Sequence, residues 1–134
     1  MNTALSNKSR VVFALLILAT AFMAATIANG QTTSTVPLCE INRTLQIGSQ
    51  GEDVRCLQRY LNWAGYTIAA SGSGSPGNET TYYGMLTSAA VAKWQDTNAL
   101  TVLTPIGLTH GTGFFGSMSF ARYVVIVKGL LGVS

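Results

Sequence analysis

The sequence predicts a mainly α-helical chain: a small three-helix orthogonal bundle with long loops, preceded by a signal peptide. The first observation behind this is a turn that occurs twice. In TTYYGMLTSAAVAKWQ and again in GTGFFGSMSFARY, a glycine follows two aromatics, a hydroxyl residue sits three positions later, and an alanine two positions after that. Two copies of one helix-start device suggest a helical module rather than an enzyme core. The second observation is the spacing of Val54, Leu57, Leu61 and Ala64, which puts all four on one face of a helix. The third is the N-terminal stretch, where Lys8 and Arg10 precede a charge-free, mostly apolar run over residues 11–28.

Residues 1–30 read as a secretory signal peptide. Ala28 and Gly30 are small residues flanking Asn29, a pattern cut before Gln31, and the QTTSTVP that follows is polar. An uncleaved signal anchor is the alternative, because 18 uncharged residues reach the lower limit for spanning a bilayer. Residues 31–38 form a Thr/Ser-rich linker with too little apolar content to pack. The domain is expected over residues 39–123, with an apolar tail of uncertain structure over 124–134. From Gln31 onward the chain carries six Lys and Arg against five Asp and Glu, so it is nearly neutral. No basic patch with interleaved aromatics argues for nucleic acid. Cys39 and Cys56 are the only cysteines, and an even count in a small exported domain reads first as a disulfide, with two buried thiols as the alternative. Closing that loop restricts the unfolded chain by about 3 kcal/mol.

Within the domain, residues 43–47 alternate in polarity, Gly48 to Gly51 punctuate, and Glu52 and Asp53 open the first helix where its positive end favours acids. Gly65 terminates that helix. Residues 66–70 read as a brief strand or turn, and residues 71–77, which lack apolar side chains, as a mobile surface loop. The second helix is expected to start at Thr87 as its cap, to present Ala90, Val91 and Trp94 inward, and to end over 95–99. Residues 101–104 suggest a short extended piece, 105–107 a turn and 109–113 a glycine-rich loop. Ser117 or Ser119 is expected to cap a third helix running through Tyr123. Residues 124–127 are β-branched throughout, which favours a strand or a buried helix end over an exposed helix.

In order, the punctuation is L-x-I-G-S-x-G-x-D-V-x-x-L-Q-x-x-L-x-x-x-G-Y, then YYG-x-L-T-x-x-A-V-x-x-W-Q, then TGFFG-x-x-S-x-A. This resembles the peptidoglycan-binding domain family, a compact three-helix module found on bacterial cell-wall hydrolases and other exported proteins. The resemblance covers residues 43–123. Leu45, Gly48, Gly51, Val54, Leu57, Gln58, Leu61, Gly65 and Tyr66 fall on the family's first-helix signature. Gly84, Thr87, Ala90, Val91, Trp94 and Gln95 fall on the second, and Gly113, Gly116 and Ser119 on the closing turn, where the family more often has threonine at the last position. The chain departs from the pattern in the insertion over 71–78, in the glycine-rich approach over 107–113 and in its hydrophobic tail.

Most of these matches read as scaffold, Leu57, Leu61, Val91 and Trp94 above all. Gln58 and Gln95 are expected either to bond loop backbone near the helices or to touch a ligand. Tyr82, Tyr83, Phe114 and Phe115 sit beside glycines at helix starts, where aromatic faces stack on sugar rings or cover a peptide. If one of each pair plugs the core, the neighbour still faces outward, which favours Tyr82 and Phe114. The candidate ligand-binding residues are thus Tyr82, Tyr83, Phe114, Phe115, Gln58 and Gln95.

Catalytic constellations are missing. His110 is the only histidine and lies in a Gly/Thr loop without a carboxylate nearby in sequence, and the expected disulfide consumes both thiols. Glycoside cleavage needs two positioned carboxylates, and only Glu79 with Asp96 is open for that. Asn42 and Asn78 begin glycosylation sequons, meaningful only in a glycosylating host. No cofactor or metal is expected. The resemblance implies an exported, non-catalytic module, secreted, periplasmic or wall-associated, whose partner is peptidoglycan through its glycan or its stem peptide. The alternative is an interaction protein that reuses the scaffold and docks a protein partner through its apolar tail.

Overall fold

The computed structural model describes residues 35–133. The signal-peptide expectation and the first residues of the linker lie outside the described residues. The fold is mainly α-helical, with no strand among the described residues. Helix α1 spans Glu52–Trp63, α2 Met85–Thr97, the one-turn α3 Ala99–Val102, and α4 Ser117–Leu131, with a 3-10 turn at Thr104–Ile106 between α3 and α4. Helix α1 packs on α2, and α3 bridges α2 to α4.

The apolar face of α1 does what its spacing predicts: Val54, Leu57 and Leu61 are fully buried. Asp53 accepts from the Val54 N–H and from Arg43 Nε at 2.7 Å, which ties the lead-in segment to the positive end of α1. At the other end, Gly65 takes φ +90, the Gly65 N–H donates to Asn62 O and the Tyr66 N–H to Leu61 O. That pair of bonds satisfies the last carbonyls of the helix, and a residue with a Cβ would strain it.

Leu57, Leu61, Val91 and Trp94 meet in one core with Leu45, Tyr60, Tyr83, Phe115 and Tyr123. Aromatic rings fill its centre. Tyr60 and Tyr123 pack edge to face with centroids 4.7 Å apart, Trp94 lies 5.9 Å from Phe115, and Trp94 Nε1 donates to Tyr60 Oη at 3.2 Å. Burial pushes the Tyr60 and Tyr123 phenols up from their ordinary values. The Cys39–Cys56 disulfide is present, with Cα atoms 5.5 Å apart, and pins the start of the domain across α1.

Several local expectations need correcting. Helix α2 starts at Met85 behind Gly84 and not at Thr87, whose hydroxyl is buried and used elsewhere. Neither Ser117 nor Ser119 caps α4; Gly116 precedes it and makes no side-chain cap. Residues 101–104 are not extended, because α3 and the 3-10 turn occupy them. Residues 124–127 continue α4 as a helix that is half exposed. Burying Tyr123 and Val127 on one face outweighs the β preference of the valines. Packing continues on either side of residues 39–123. Val36 packs on the core, Tyr123 Oη donates to Pro37 O at 2.9 Å, and α4 runs to Leu131.

The Ser/Gly-rich insertion is tied to α1 rather than hanging free of it. Asn62 Nδ2 donates to Gly74 O at 3.0 Å and to Glu79 Oε1 at 2.9 Å, and the Ile68 N–H donates back to Asn62 Oδ1. Within the loop the Gly74 N–H reaches Asn78 O and the Asn78 N–H reaches Ser75 O.

Candidate functional site

The two aromatic-glycine turns form two corners of the same construction. At the first, Gln58 of α1 donates from Nε2 to Tyr82 O and to Thr87 Oγ1, both at 2.9 Å, and its Oε1 accepts the Thr80 N–H at 2.7 Å. At the second, Gln95 of α2 donates from Nε2 to Phe114 O at 2.8 Å and to Ser119 Oγ at 3.0 Å, and its Oε1 accepts the Thr112 and Gly113 N–H groups. In each case a buried amide fastens the turn and the first turn of the following helix together. A buried amide left unbonded would be costly, so these contacts define both corners. Thr87 and Ser119 occupy matching positions, three residues after their glycines.

The lead-in segment pairs with both corners. Leu45 and Phe115 exchange N–H···O bonds at 3.1 and 2.9 Å, while the Gly48 N–H donates to Tyr83 O and the Tyr83 N–H to Ser49 O, each at 2.9 Å. Tyr83 Oη also donates to Gly113 O at 2.6 Å, so the plug of the first corner buttresses the loop of the second. Burial raises the Tyr83 phenol far above its usual range.

These bonds sort the sequence-selected residues into two groups. Tyr83 and Phe115 are 0% and 1% exposed and plug the core, and Gln58 and Gln95 are buried with their amides committed to the turns. Tyr83 and Phe115 thus have no open face, and the Gln58 and Gln95 amides, although they border grooves, are hydrogen-bonded within the protein. Tyr82 and Phe114, at 50% and 43% exposure, face outward. Each outward ring lies against the glycine two residues on. A Cβ on Gly116 would stand 2.7 Å from Phe114 Cε1, and one on Gly84 3.3 Å from Tyr82 Cε1. With φ of −96 and −98 neither glycine is fixed by backbone conformation; each leaves room for the outward ring to lie in its present position.

A groove opens beside each ring. Beside Phe114 it has a volume of 380 Å³; Val102 and Leu103 form its floor, Ile106, Leu108 and Met118 its walls, and Thr112 and Ser117 bring hydroxyls. Beside Tyr82 it has 260 Å³, with Ile68, Met85 and Leu86 as apolar lining and Ser73 and Gly74 of the insertion as one side. Sequence reasoning missed the aliphatic lining over 102–108. The available signal was Ile106 and Leu108 placed on either side of a glycine turn, apolar residues where a surface turn needs none.

The carboxylates left open for glycoside cleavage are engaged by loops. Glu79 Oε1 accepts from Asn62 and from the Gly77 N–H, and Asp96 Oδ1 accepts the Gly111 N–H at 2.6 Å. Burial acts to raise the Glu79 pKa, but hydrogen bonds from Asn62, from its own backbone N–H and from Gly77, with the Arg59 charge, outweigh it and leave it lowered. Among the described residues no group of three His, Cys, Asp or Glu is placed to hold a metal ion, and no helix is long and apolar enough to cross a membrane.

Comparison with curated proteins and with solved structures gives no match in either case. The family comparison does give one, over α1, the Tyr82 corner, α2 and α3, while the Phe114 corner and α4 lie beyond the matched stretch. Residues 50–102 match the family model described as "Putative peptidoglycan binding domain", and the resemblance carried by the motifs of this helical bundle holds over that stretch.

Proposed function

We propose that this protein binds bacterial peptidoglycan noncovalently, outside the cytoplasm, and does no chemistry on it. The observation that carries the reading is the division of each aromatic pair. One ring of each is spent on the core and the other is held outward over a groove, by a scaffold of the peptidoglycan-binding kind. Outward aromatics beside preformed grooves suit a polymer with alternating apolar and hydroxylated faces. Cosedimentation of residues 31–134 with purified wall sacculi tests it. Enrichment over an unrelated neutral protein is expected, with no soluble fragments released from labelled sacculi; absence of enrichment contradicts the proposal. Affinity of one small module is expected to be weak unless several copies act together.

A second reading rests on a separate observation. Val125, Leu130, Leu131 and Val133 are each more than half exposed, on and just beyond the last turns of α4. The rise of a helix places Leu131 about 20 Å from Ser117, well away from the Phe114 groove. Such a surface is suited to docking a protein partner. Replacing Leu130 and Leu131 by serine and measuring the oligomeric state discriminates: a species that is monomeric before and after removes this reading.

A further inference from the structure

We propose that the Phe114 groove receives an N-acetylated sugar of the glycan strand and not the stem peptide. The inference rests on the peptidoglycan reading above and names the part of the polymer recognised. Its basis is the chemistry of the lining. Val102 and Leu103 are each 1% exposed and form an aliphatic floor, and Ile106, Leu108 and Met118 wall it. None of the lining residues has an ionisable side chain.

A stem peptide carries carboxylates and an amine at neutral pH. Bringing them against this floor strips water from charges with no basic or acidic side chain in the lining to pair with them. An N-acetylated pyranose brings no charge. Its C–H face lies on the outward ring of Phe114, and the acetamido methyl matches the aliphatic floor. The acetamido carbonyl takes a hydroxyl proton at the rim. Thr112 Oγ1 accepts the Phe114 N–H at 3.1 Å, which leaves its own proton to donate, and Ser117 is exposed beside it. The Tyr82 groove is the poorer candidate, because it is smaller at 260 Å³ and one of its sides is the hydroxyl and backbone of Ser73 and Gly74.

Competition against sacculus binding tests the assignment, using the disulfide-closed protein. The competitors are a β-1,4-linked N-acetylglucosamine tetramer, the same tetramer stripped of its acetyl groups, and a free stem pentapeptide. The acetylated tetramer is expected to compete at least tenfold better than either of the others, with little change between low and high salt, since no ion pair forms. Leu108→Asp, which puts a charge on a rim residue 38% exposed, is expected to weaken sacculus binding about tenfold while Tm stays put. Competition by the pentapeptide but not the tetramer overturns the inference, as does equal competition by acetylated and deacetylated tetramers. If wild-type protein fails to bind sacculi at all, the parent reading falls. If it binds sacculi and no sugar competes, only the present inference falls.

Discussion

At the Tyr82 corner a glutamine from α1 holds the turn, and a threonine three residues past the glycine closes the bond. At the Phe114 corner a glutamine from α2 and a serine do the same. The frames are equivalent; the walls are not. Behind Tyr82 stands the Ser/Gly insertion, hung on Asn62 of α1, while behind Phe114 stands the aliphatic turn between α3 and α4. One helix-start device thus yields two grooves whose chemistry is set by the connection that precedes it. The corners are also coupled, because Tyr83 Oη donates to Gly113 O.

The largest expected effect separates the plug from the shelf. Phe115→Ala should cost about 4 kcal/mol of folding free energy, as removal of a fully buried aromatic does, seen as a large fall in Tm or denaturant midpoint. Its neighbour Phe114, outward and half exposed, should tolerate the same change with little loss of stability. Equal destabilisation by the two would break the division of labour within each pair.

Next come the amides. Gln58→Ala and Gln95→Ala each leave buried turn groups without partners and should each cost about 3 kcal/mol in chemical denaturation. Matching losses would confirm that the frames are equivalent; a loss confined to one would show that the other corner is held by its walls.

Smaller in stability but sharper in function is the glycine under each ring. Ala at Gly116 adds a Cβ 2.7 Å from Phe114 Cε1, and the exposed ring can swing clear, so folding should change by under about 1 kcal/mol. Sacculus binding should nevertheless fall about tenfold, equivalent to 1.4 kcal/mol. Ala at Gly84, whose Cβ stands 3.3 Å from the Tyr82 ring, should change binding less.

The smallest effect is an acid sensitivity on the Tyr82 side. The Arg43 hydrogen bond lowers Asp53, and at Glu79 burial is outweighed by bonds from Asn62, its own N–H and Gly77 together with the Arg59 charge. Folded-state values below the unfolded ones mean that the stabilisation is present above about pH 4 and fades as pH falls through the folded values. Protection of the Gly77 amide, its exchange rate relative to an unstructured amide at the same pH, should therefore fall on acidification below pH ~4, and Glu79→Gln should remove most of that response.

Much of this arrangement was legible in the sequence, for identifiable reasons. The inward positions of α1 and α2 follow from helical spacing, and the repeated turn announces itself in the order aromatic, aromatic, glycine. That Gln58 and Gln95 bond loop backbone follows from the need to satisfy a buried amide. The fate of Thr87 and Ser119 was not legible. A hydroxyl near a helix start serves equally as a cap or as a buried acceptor, and only the glutamine arriving from another helix decides. The aliphatic groove was hidden for a similar reason, since Val102 and Ile106 belong to a helix of one turn and a 3-10 turn, too short for periodicity to register. Residues 124–127 misled through their β-branching, a local preference that packing of Tyr123 and Val127 overrode.

The most direct measurement is sacculus binding by Phe114→Ala, set beside its thermal unfolding. The division between plug and shelf predicts a Tm close to that of the parent protein together with binding weakened at least tenfold, about 1.4 kcal/mol or more. Parent-like binding by a folded Phe114→Ala protein would contradict it.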